Sequence, residues 1–264
     1  MDDPSRHNLI KWRLMVTTFP LTVVVVVVKV VLETVLQFHG LVDFAEISLV
    51  ITGGIFLMGF MLAGTLSDYK ESERIPAEMA CALESIEDTF RLAWIFKSQF
   101  DLKACQRQVL DLTDTIIKYF HHQESEAEVY RQLDKLSEIA VFVERTGMGS
   151  TTSWVKREQA NLRQLFARMT VIKRTHFIST GYAFLEVLSV VIAGLLLISR
   201  FDNLIISIIL VSFITQIFVY MVLLIKDIDH PFEYPADGKV RAADIDLFPL
   251  MEYRQRAEER QRNE

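Results

Sequence analysis

Two cysteines in 264 residues leave no room for a disulfide framework. Cys81 and Cys105 both fall in a polar stretch and read as reduced thiols. No glycine-rich phosphate loop, nucleophile elbow or zinc-protease helix is present. No catalytic constellation can be assembled, so the sequence points away from an enzyme and implies no cofactor. With a net charge of -6 and no basic patch interleaved with aromatics, nucleic acid is not an expected partner. His121 and His122 are adjacent, point in different directions on a helix and make a poor metal site on their own. Metal binding is left open.

What is present is apolar length. Hydrophobic residues make up 51% of the chain, and the mean hydropathy is +0.25. They collect in two pairs of long runs on either side of a polar middle, a pattern that fits membrane insertion better than one soluble core. A helix needs roughly 20 residues to cross the hydrocarbon layer. Four segments qualify: 14–38, 44–66, 177–198 and 204–225. The first follows Arg6, Lys11 and Arg13 as a signal peptide would, but no small-residue cleavage site follows it, and it reads as an uncleaved span. The links 39–43 and 199–203 are short enough to make two antiparallel helical hairpins.

Lysine and arginine are distributed very unevenly. The N-terminal tail, the middle and the C-terminal tail hold nearly all of them, and the two short links hold only Arg200. The positive-inside rule then puts the middle and both termini in the cytoplasm and both hairpin tips outside. The expected organisation is a tail and first hairpin at 1–66 and a cytoplasmic helical domain at 67–175. A second hairpin follows at 176–226, then a cytoplasmic tail at 227–264.

The middle reads as four amphipathic helices. Pro76 suits a first turn, followed by Ile75, Met79, Ala82, Leu83, Ile86, Phe90 and Trp94 at helical spacing. Asp101 is a plausible N-cap for a helix that buries Cys105, Val109, Leu112, Ile116 and Phe120. Tyr130, Leu133, Leu136, Ala140 and Val143 mark a third helix, which Gly147 or Gly149 ends. Ser150 to Ser153 offer caps for a fourth, carrying Leu162, Leu165, Phe166, Met169 and Ile172, expected to run into the third span. No strand alternation is seen.

Three charges lie within spans: Lys29, Glu33 and Glu186. Each costs a few kcal/mol or more there unless paired or hydrated. Lys29 and Glu33 are one turn apart and can pair, or Lys29 can snorkel outward, so a structural role is favoured for both. Glu186 sits deeper and serves either a wet path or helix cohesion. His176 reads as interfacial at the mouth of the third span. Gly53, Gly54, Gly59, Ala63 and Gly64 in the second span are chiefly packing residues.

Two stretches carry a resemblance. One is Ile55-Phe-Leu-Met-Gly-Phe60, followed by residues 67–77; the other is Asp227-Ile-Asp-His-Pro-Phe232, with Asp244-Ile-Asp-Leu-Phe-Pro-Leu250 downstream. They resemble the bestrophin superfamily and its bacterial relatives. The resemblance implies an all-α membrane protein, with four transmembrane helices and a helical cytoplasmic domain between them. It implies a bacterial inner-membrane, multi-pass homo-oligomer, a pentamer, whose second spans line a central pore for small inorganic ions, an anion such as chloride. Phe56 and Phe60 would be neck residues and Thr52 a third neck position, where an apolar residue would be expected. Asp229, Pro231 and Phe232 would form the family motif after the fourth span. Glu233 replaces the family glycine there, and Asp237, Asp244 and Asp246 are too scattered for a calcium clasp. Besides the ion channel, two functions remain open: a non-conducting scaffold or signalling protein whose cytoplasmic helices bind a partner, and a proton- or cation-coupled transporter using Glu186. Near the outer links, Asp43, Glu46 and Asp202 outnumber Arg200, a balance that attracts cations.

Overall fold

The computed structural model describes residues 4–38, 40–96, 101–145, 149–175, 179–232, 234 and 243–263. His176, Gly147, Glu233 and Asp237 lie outside these. Among the described residues there are eight helices: α1 (Pro4–Thr34), α2 (Phe44–Phe96), α3 (Leu102–Phe120), α4 (Glu126–Arg145), α5 (Gly149–Arg174), α6 (Ser179–Ile198), α7 (Leu204–Ile228) and α8 (Phe248–Asn263). Two two-residue strands, β1 (Val42–Asp43) and β2 (Ser199–Arg200), pair in parallel, Val42 opposite Ser199 and Asp43 opposite Arg200. Four helices are long and apolar enough to cross a bilayer: Trp12–Thr34, Phe44–Phe96, Thr180–Ile198 and Leu204–Ile228. The chain is an integral membrane protein of all-α class.

The chain divides into two units. The first comprises Met1–Tyr69, His176–Pro231 and Val240–Ala243; the second comprises Lys70–Thr175, Phe232–Lys239 and Asp244–Glu264.

In the first unit, α1 packs on α7 and to a smaller extent on α6, and α6 packs on α7. The short link joins α1 to α2, but the main packing partner of α1 is α7. α1 carries Thr18, Thr22, Lys29 and Glu33 on one face, and α7 with the link before it supplies their polar partners. The core of the unit joins Ile47, Ile51, Met58 and Met61 of α2 to Leu185, Ile192 and Leu196 of α6 and to Val211, Phe218 and Ile225 of α7. Gly54 makes this packing close: a Cβ there would stand 2.9 Å from Ile192 Cδ1 and from Phe218 Cε1. In a bilayer, where burial from water does not drive helices together, such close approach is a main source of association.

The expected break between the second span and the first cytoplasmic helix is absent. α2 runs unbroken for 53 residues, with Pro76 in its interior. A mid-helix proline removes one backbone donor and crowds the carbonyl four residues earlier. The helix persists because Ile75, Met79, Leu83, Ile86 and Phe90 are all buried along one side, so packing outweighs the local penalty. Trp94, placed on that side by periodicity, is half exposed.

The second unit is a helical bundle in which α3 packs on α4 and α8, and α4 packs on α5. Asp101 caps α3 as its sequence predicts, its Oδ1 accepting from the Ala104 amide at 3.0 Å. The periodic apolar residues of α3, α4 and α5 are buried, Tyr130 only partly. The expected caps at Ser150 to Ser153 fall inside α5, because the helix already starts at Gly149. α5 ends at Arg174 and α6 begins at Ser179; residues 176–178 between them lie outside the described set. Buried Glu87 accepts from Arg260 of α8 at 2.6 Å and from the Tyr253 hydroxyl at 3.2 Å. Burial pushes the Tyr253 phenol well above its ordinary pKa, and the neighbouring Glu87 charge adds to the shift. Burial opposes the Arg260 charge, but the hydrogen bond and charge of Glu87, with those of Glu84, raise its pKa on balance.

Candidate pore-lining helix and intramembrane polar sites

The transmembrane part of α2 has two unlike sides. Ile47, Ile51, Met58, Met61 and Thr65 are buried against the rest of the first unit. The opposite side carries Leu49, Thr52, Phe56 and Phe60, with Phe56 77% and Phe60 73% exposed. Residues four apart stack along one helix face, so the two rings stand one turn apart on the same stripe. Thr52 heads that stripe. Its hydroxyl donates to the Ser48 carbonyl at 2.8 Å, so its polarity is spent on its own backbone. Beside the stripe, a Cβ on Gly53 or Gly59 would meet nothing within 4 Å. The described residues therefore leave this side of α2 uncovered.

The α1–α7 seam holds two of the three intramembrane charges, Lys29 and Glu33, at one level and a neutral cluster at another. Lys29 is 1% exposed. Its ammonium reaches Glu33 at 3.0 Å, donates to the carbonyls of Leu197 at 3.1 Å and Ser199 at 2.6 Å, and lies 5.2 Å from the Phe201 ring centroid. Lys29 does not snorkel: three oxygens and an aromatic face hold it inside. Glu33 also accepts from the Ser207 hydroxyl of α7 at 2.9 Å. Farther along α1, the Gln216 amide of α7 donates to Thr18 at 2.6 Å and accepts from Thr22 at 2.6 Å. Periodicity held a signal for this cluster. Thr18, Thr22, Lys29 and Glu33 fall at i, i+4, i+11 and i+15, one face of a helix, and polar residues sharing a face within a span seek partners across it.

The backbone near β1 and β2 completes the Lys29 site. The Leu41 amide donates to the Ile198 carbonyl at 2.8 Å, and Gly40 takes a φ of +80°. Nearby, Glu33, Thr34, Arg200, Phe201, Asp202 and Leu204 line a small open cleft.

Glu186 lies on α6 and makes an ion pair with Lys226 near the end of α7. The pair is partly exposed, Glu186 at 53% and Lys226 at 38%. The Tyr182 hydroxyl, one turn before Glu186, lies against Asp229, the C-cap of α7. The structure thus brings Glu186 and the motif residue Asp229 to the same end of the α6–α7 pair. Pro231 is buried there, and Phe232 is buried in the second unit with its ring 5.5 Å from Phe120. Tyr234 donates to the Ile245 carbonyl at 2.7 Å, and Asp246 accepts from the Phe248 amide at 2.9 Å to cap α8. Asp244-Ile-Asp246 therefore leads into a helix, whereas Asp227-Ile-Asp229 ends one. Among the described residues, no group of three His, Cys, Asp or Glu side chains is placed to hold a metal ion.

No family model matches the chain, and no curated protein matches it. Solved structures do. A bacterial bestrophin homologue from Klebsiella pneumoniae aligns with a TM-score of 0.75 at 11% identity, over 93% of this chain and 98% of that one. A point variant of that homologue gives a TM-score of 0.76 at 12% identity, over 95% and 99%. The chain has a bestrophin-like fold. Another solved chain, described as a variant of a membrane protein, aligns with a TM-score of 0.74 at 11% identity over 94% of this chain. The bestrophin-like arrangement extends over nearly all of the chain, while at this identity the side chains that line any given surface are its own.

Proposed function

We propose that the protein is a homo-oligomeric ion channel whose second transmembrane helices surround a central pore. The observation that carries this reading is the two-sidedness of α2. Its inner side is packed into the subunit, while Thr52, Phe56 and Phe60 form an outward stripe that none of the described residues covers. Around a rotation axis, each such residue is repeated as a ring. Two adjacent phenylalanine rings make a narrow apolar passage, which holds water poorly and resists ions by dewetting. The bestrophin-like fold supports this arrangement, and the resemblance in the second span implies five subunits. In this reading residues 67–175 and both tails are cytoplasmic, by charge bias.

The transported species is a small inorganic ion. The resemblance favours an anion such as chloride, whereas Asp43, Glu46 and Asp202 around the outer ends favour a cation at the mouth. Ion-substitution reversal potentials in planar bilayers separate the two. The coupled-transporter reading loses support from the Glu186–Lys226 pair, because a carboxylate already neutralised by an ammonium is poorly placed to take up a travelling proton or cation.

The test is flux from liposomes holding purified protein, read beside the oligomeric mass in detergent. Phe56→Ala with Phe60→Ala is expected to raise basal conductance severalfold with the oligomer intact. An intact oligomer with unchanged flux would remove the constriction, and an oligomer that conducts no ion under any condition would favour the scaffold.

A further inference from the structure

The second unit has an open groove of about 640 Å³ along the end of α2, lined by Cys81, Ser85, Asp88, Thr89, Leu92 and Phe96 on that helix and by Thr151 and Trp154 on α5. Its lining is mixed: Leu92, Phe96 and Trp154 form an uncovered apolar part, 54%, 75% and 52% exposed, beside the polar Ser85, Asp88, Thr89 and Thr151. Exposed apolar surface of this kind outside a bilayer marks a contact with another molecule. Its charge is acidic. Glu84 at the edge is neutralised by Arg256 and Arg260. Asp88 has no ion-pair partner among the described residues.

The complementary surface lies on the same chain. The outward side of α3 carries Lys103, Arg107 and Lys118, all exposed and none with an acidic ion-pair partner among the described residues, against one exposed carboxylate, Asp111. Asp114 near that side is engaged by Arg254. A long basic side chain suits the groove on two counts. Its methylene stem can lie along Leu92, Phe96 and Trp154 while its head seeks the Asp88 carboxylate, and a cation over the face of an aromatic ring is itself attracted. Two different surfaces of one chain that complement each other form a heterologous contact, the kind that closes a ring of identical subunits.

We propose that this groove receives the basic side of α3 from a second copy of the chain, with Asp88 facing Arg107 and Lys103 across the subunit boundary. The proposal rests on the homo-oligomer of the preceding section and assigns the surface through which its parts outside the membrane adhere. It is tested on full-length protein in mild detergent. Asp88→Lys alone, and Arg107→Asp with Lys103→Asp alone, should each shift the mass distribution toward smaller species at least threefold. All three substitutions together should restore the parent distribution. Independently, Cys81 lies in the groove, so Lys103→Cys with a short bis-maleimide should give a ladder of covalent oligomers that the parent chain does not give. Charge reversals without effect on mass, or failure of the triple variant to recover while its circular dichroism is normal, would overturn the proposal. If the reversals misfold, the ladder decides, and its absence overturns the proposal. A monomeric parent chain would remove the channel reading as well; a parent ring indifferent to the reversals removes this contact alone.

Discussion

Gly40 and Arg200 meet backbone to backbone: a Cβ built on Gly40 would stand 2.7 Å from the Arg200 amide nitrogen. Gly40 also takes a φ of +80°, where a side chain is strained. The contact sits where β1 and β2 pair and where the Ser199 carbonyl holds Lys29. Gly40→Ala is therefore expected to pry the two links apart. It should cost about 1–3 kcal/mol from the strained backbone alone and lower the midpoint of thermal unfolding in detergent. A midpoint equal to that of the parent chain would show that the links have slack.

Lys29 should be the most sensitive position in α1. It is nine-tenths buried or more and held by Glu33 and two carbonyls. Lys29→Met keeps an unbranched side chain one atom shorter but leaves Glu33 without its counter-charge. Breaking a buried pair from one side costs about 3–5 kcal/mol. Replacing both, as Lys29→Met with Glu33→Gln, removes both charges and should recover at least half of that loss. The check is thermal unfolding of the single and double variants, and a double variant no more stable than Lys29→Met alone would mean that the pair is not what stabilises the seam.

Glu186 and Lys226 are partly exposed and pair across α6 and α7. Exposed pairs in water contribute about 0–1 kcal/mol, but a charge left alone within a span costs more than that. Glu186→Gln should therefore lower stability, and Lys226→Gln in the same chain should reverse part of the loss, while ion flux per intact oligomer is unchanged. Altered flux from a normally assembled Glu186→Gln oligomer would instead place Glu186 on the transport path.

The legible part of this protein was its hydrophobic periodicity. Four membrane helices and the buried faces of α3, α4 and α5 follow from spacing alone, and Asp101 is a cap that its position announces. Three features were less accessible for physical reasons. Pro76 reads locally as a helix start, yet long-range burial of Ile75, Met79 and Leu83 carries α2 through it. The link between α1 and α2 is short, but brevity does not make them the main partners; the polar face of α1 chooses α7. Helix α8 is highly charged, and its buried apolar residues are just Leu250, Tyr253 and Ala257 at i, i+3 and i+7, while Phe248 and Met251 beside them are exposed and blur the pattern. Lys29 and Glu33 were legible as a pair because they share a helix. The partner of Glu186, 40 positions away on another helix, was not.

The anchoring of α8 should depend on pH with a definite sign. Tyr253 is raised above its ordinary pKa by burial and by the adjacent Glu87 charge, so the folded state keeps the phenolic proton when the unfolded chain loses it. That stability is fully present below the ordinary tyrosine value of about 10 and falls as pH rises beyond it. Arg260→Ala should cost about 3–5 kcal/mol by leaving the buried Glu87 carboxylate with Tyr253 as its one hydrogen-bond partner among the described residues. Tyr253→Phe should flatten the alkaline loss of stability, measured by unfolding between about pH 8 and 11. An unchanged alkaline slope in Tyr253→Phe would assign the loss to another group.

Topology can be tested with cysteines chosen from the structure. The native thiols differ: Cys81 is exposed, whereas Cys105 is buried. Burial, reinforced by the Asp101 charge, pushes the Cys105 pKa up to about 12. The thiolate is the reactive form, so Cys105 should resist alkylation in the folded protein at neutral pH while Cys81 reacts once membranes are opened. For reporters near β1 and β2, Gly40 is unsuitable because of its backbone, and Asn203 is unsuitable because its side chain caps α7 by accepting from the Ile205 amide at 2.8 Å. Leu41, 76% exposed, and Asp202 are free of such duties. In a background with Cys81→Ser and Cys105→Ala, Leu41→Cys and Asp202→Cys should each be labelled from outside intact cells by an impermeant maleimide. Cys81, left as the single thiol, should be labelled only after permeabilisation. Charge bias requires that order. The reverse pattern, with Cys81 labelled in intact cells and Leu41→Cys protected, would invert the protein in the membrane and with it the acidic outer mouth proposed for the pore.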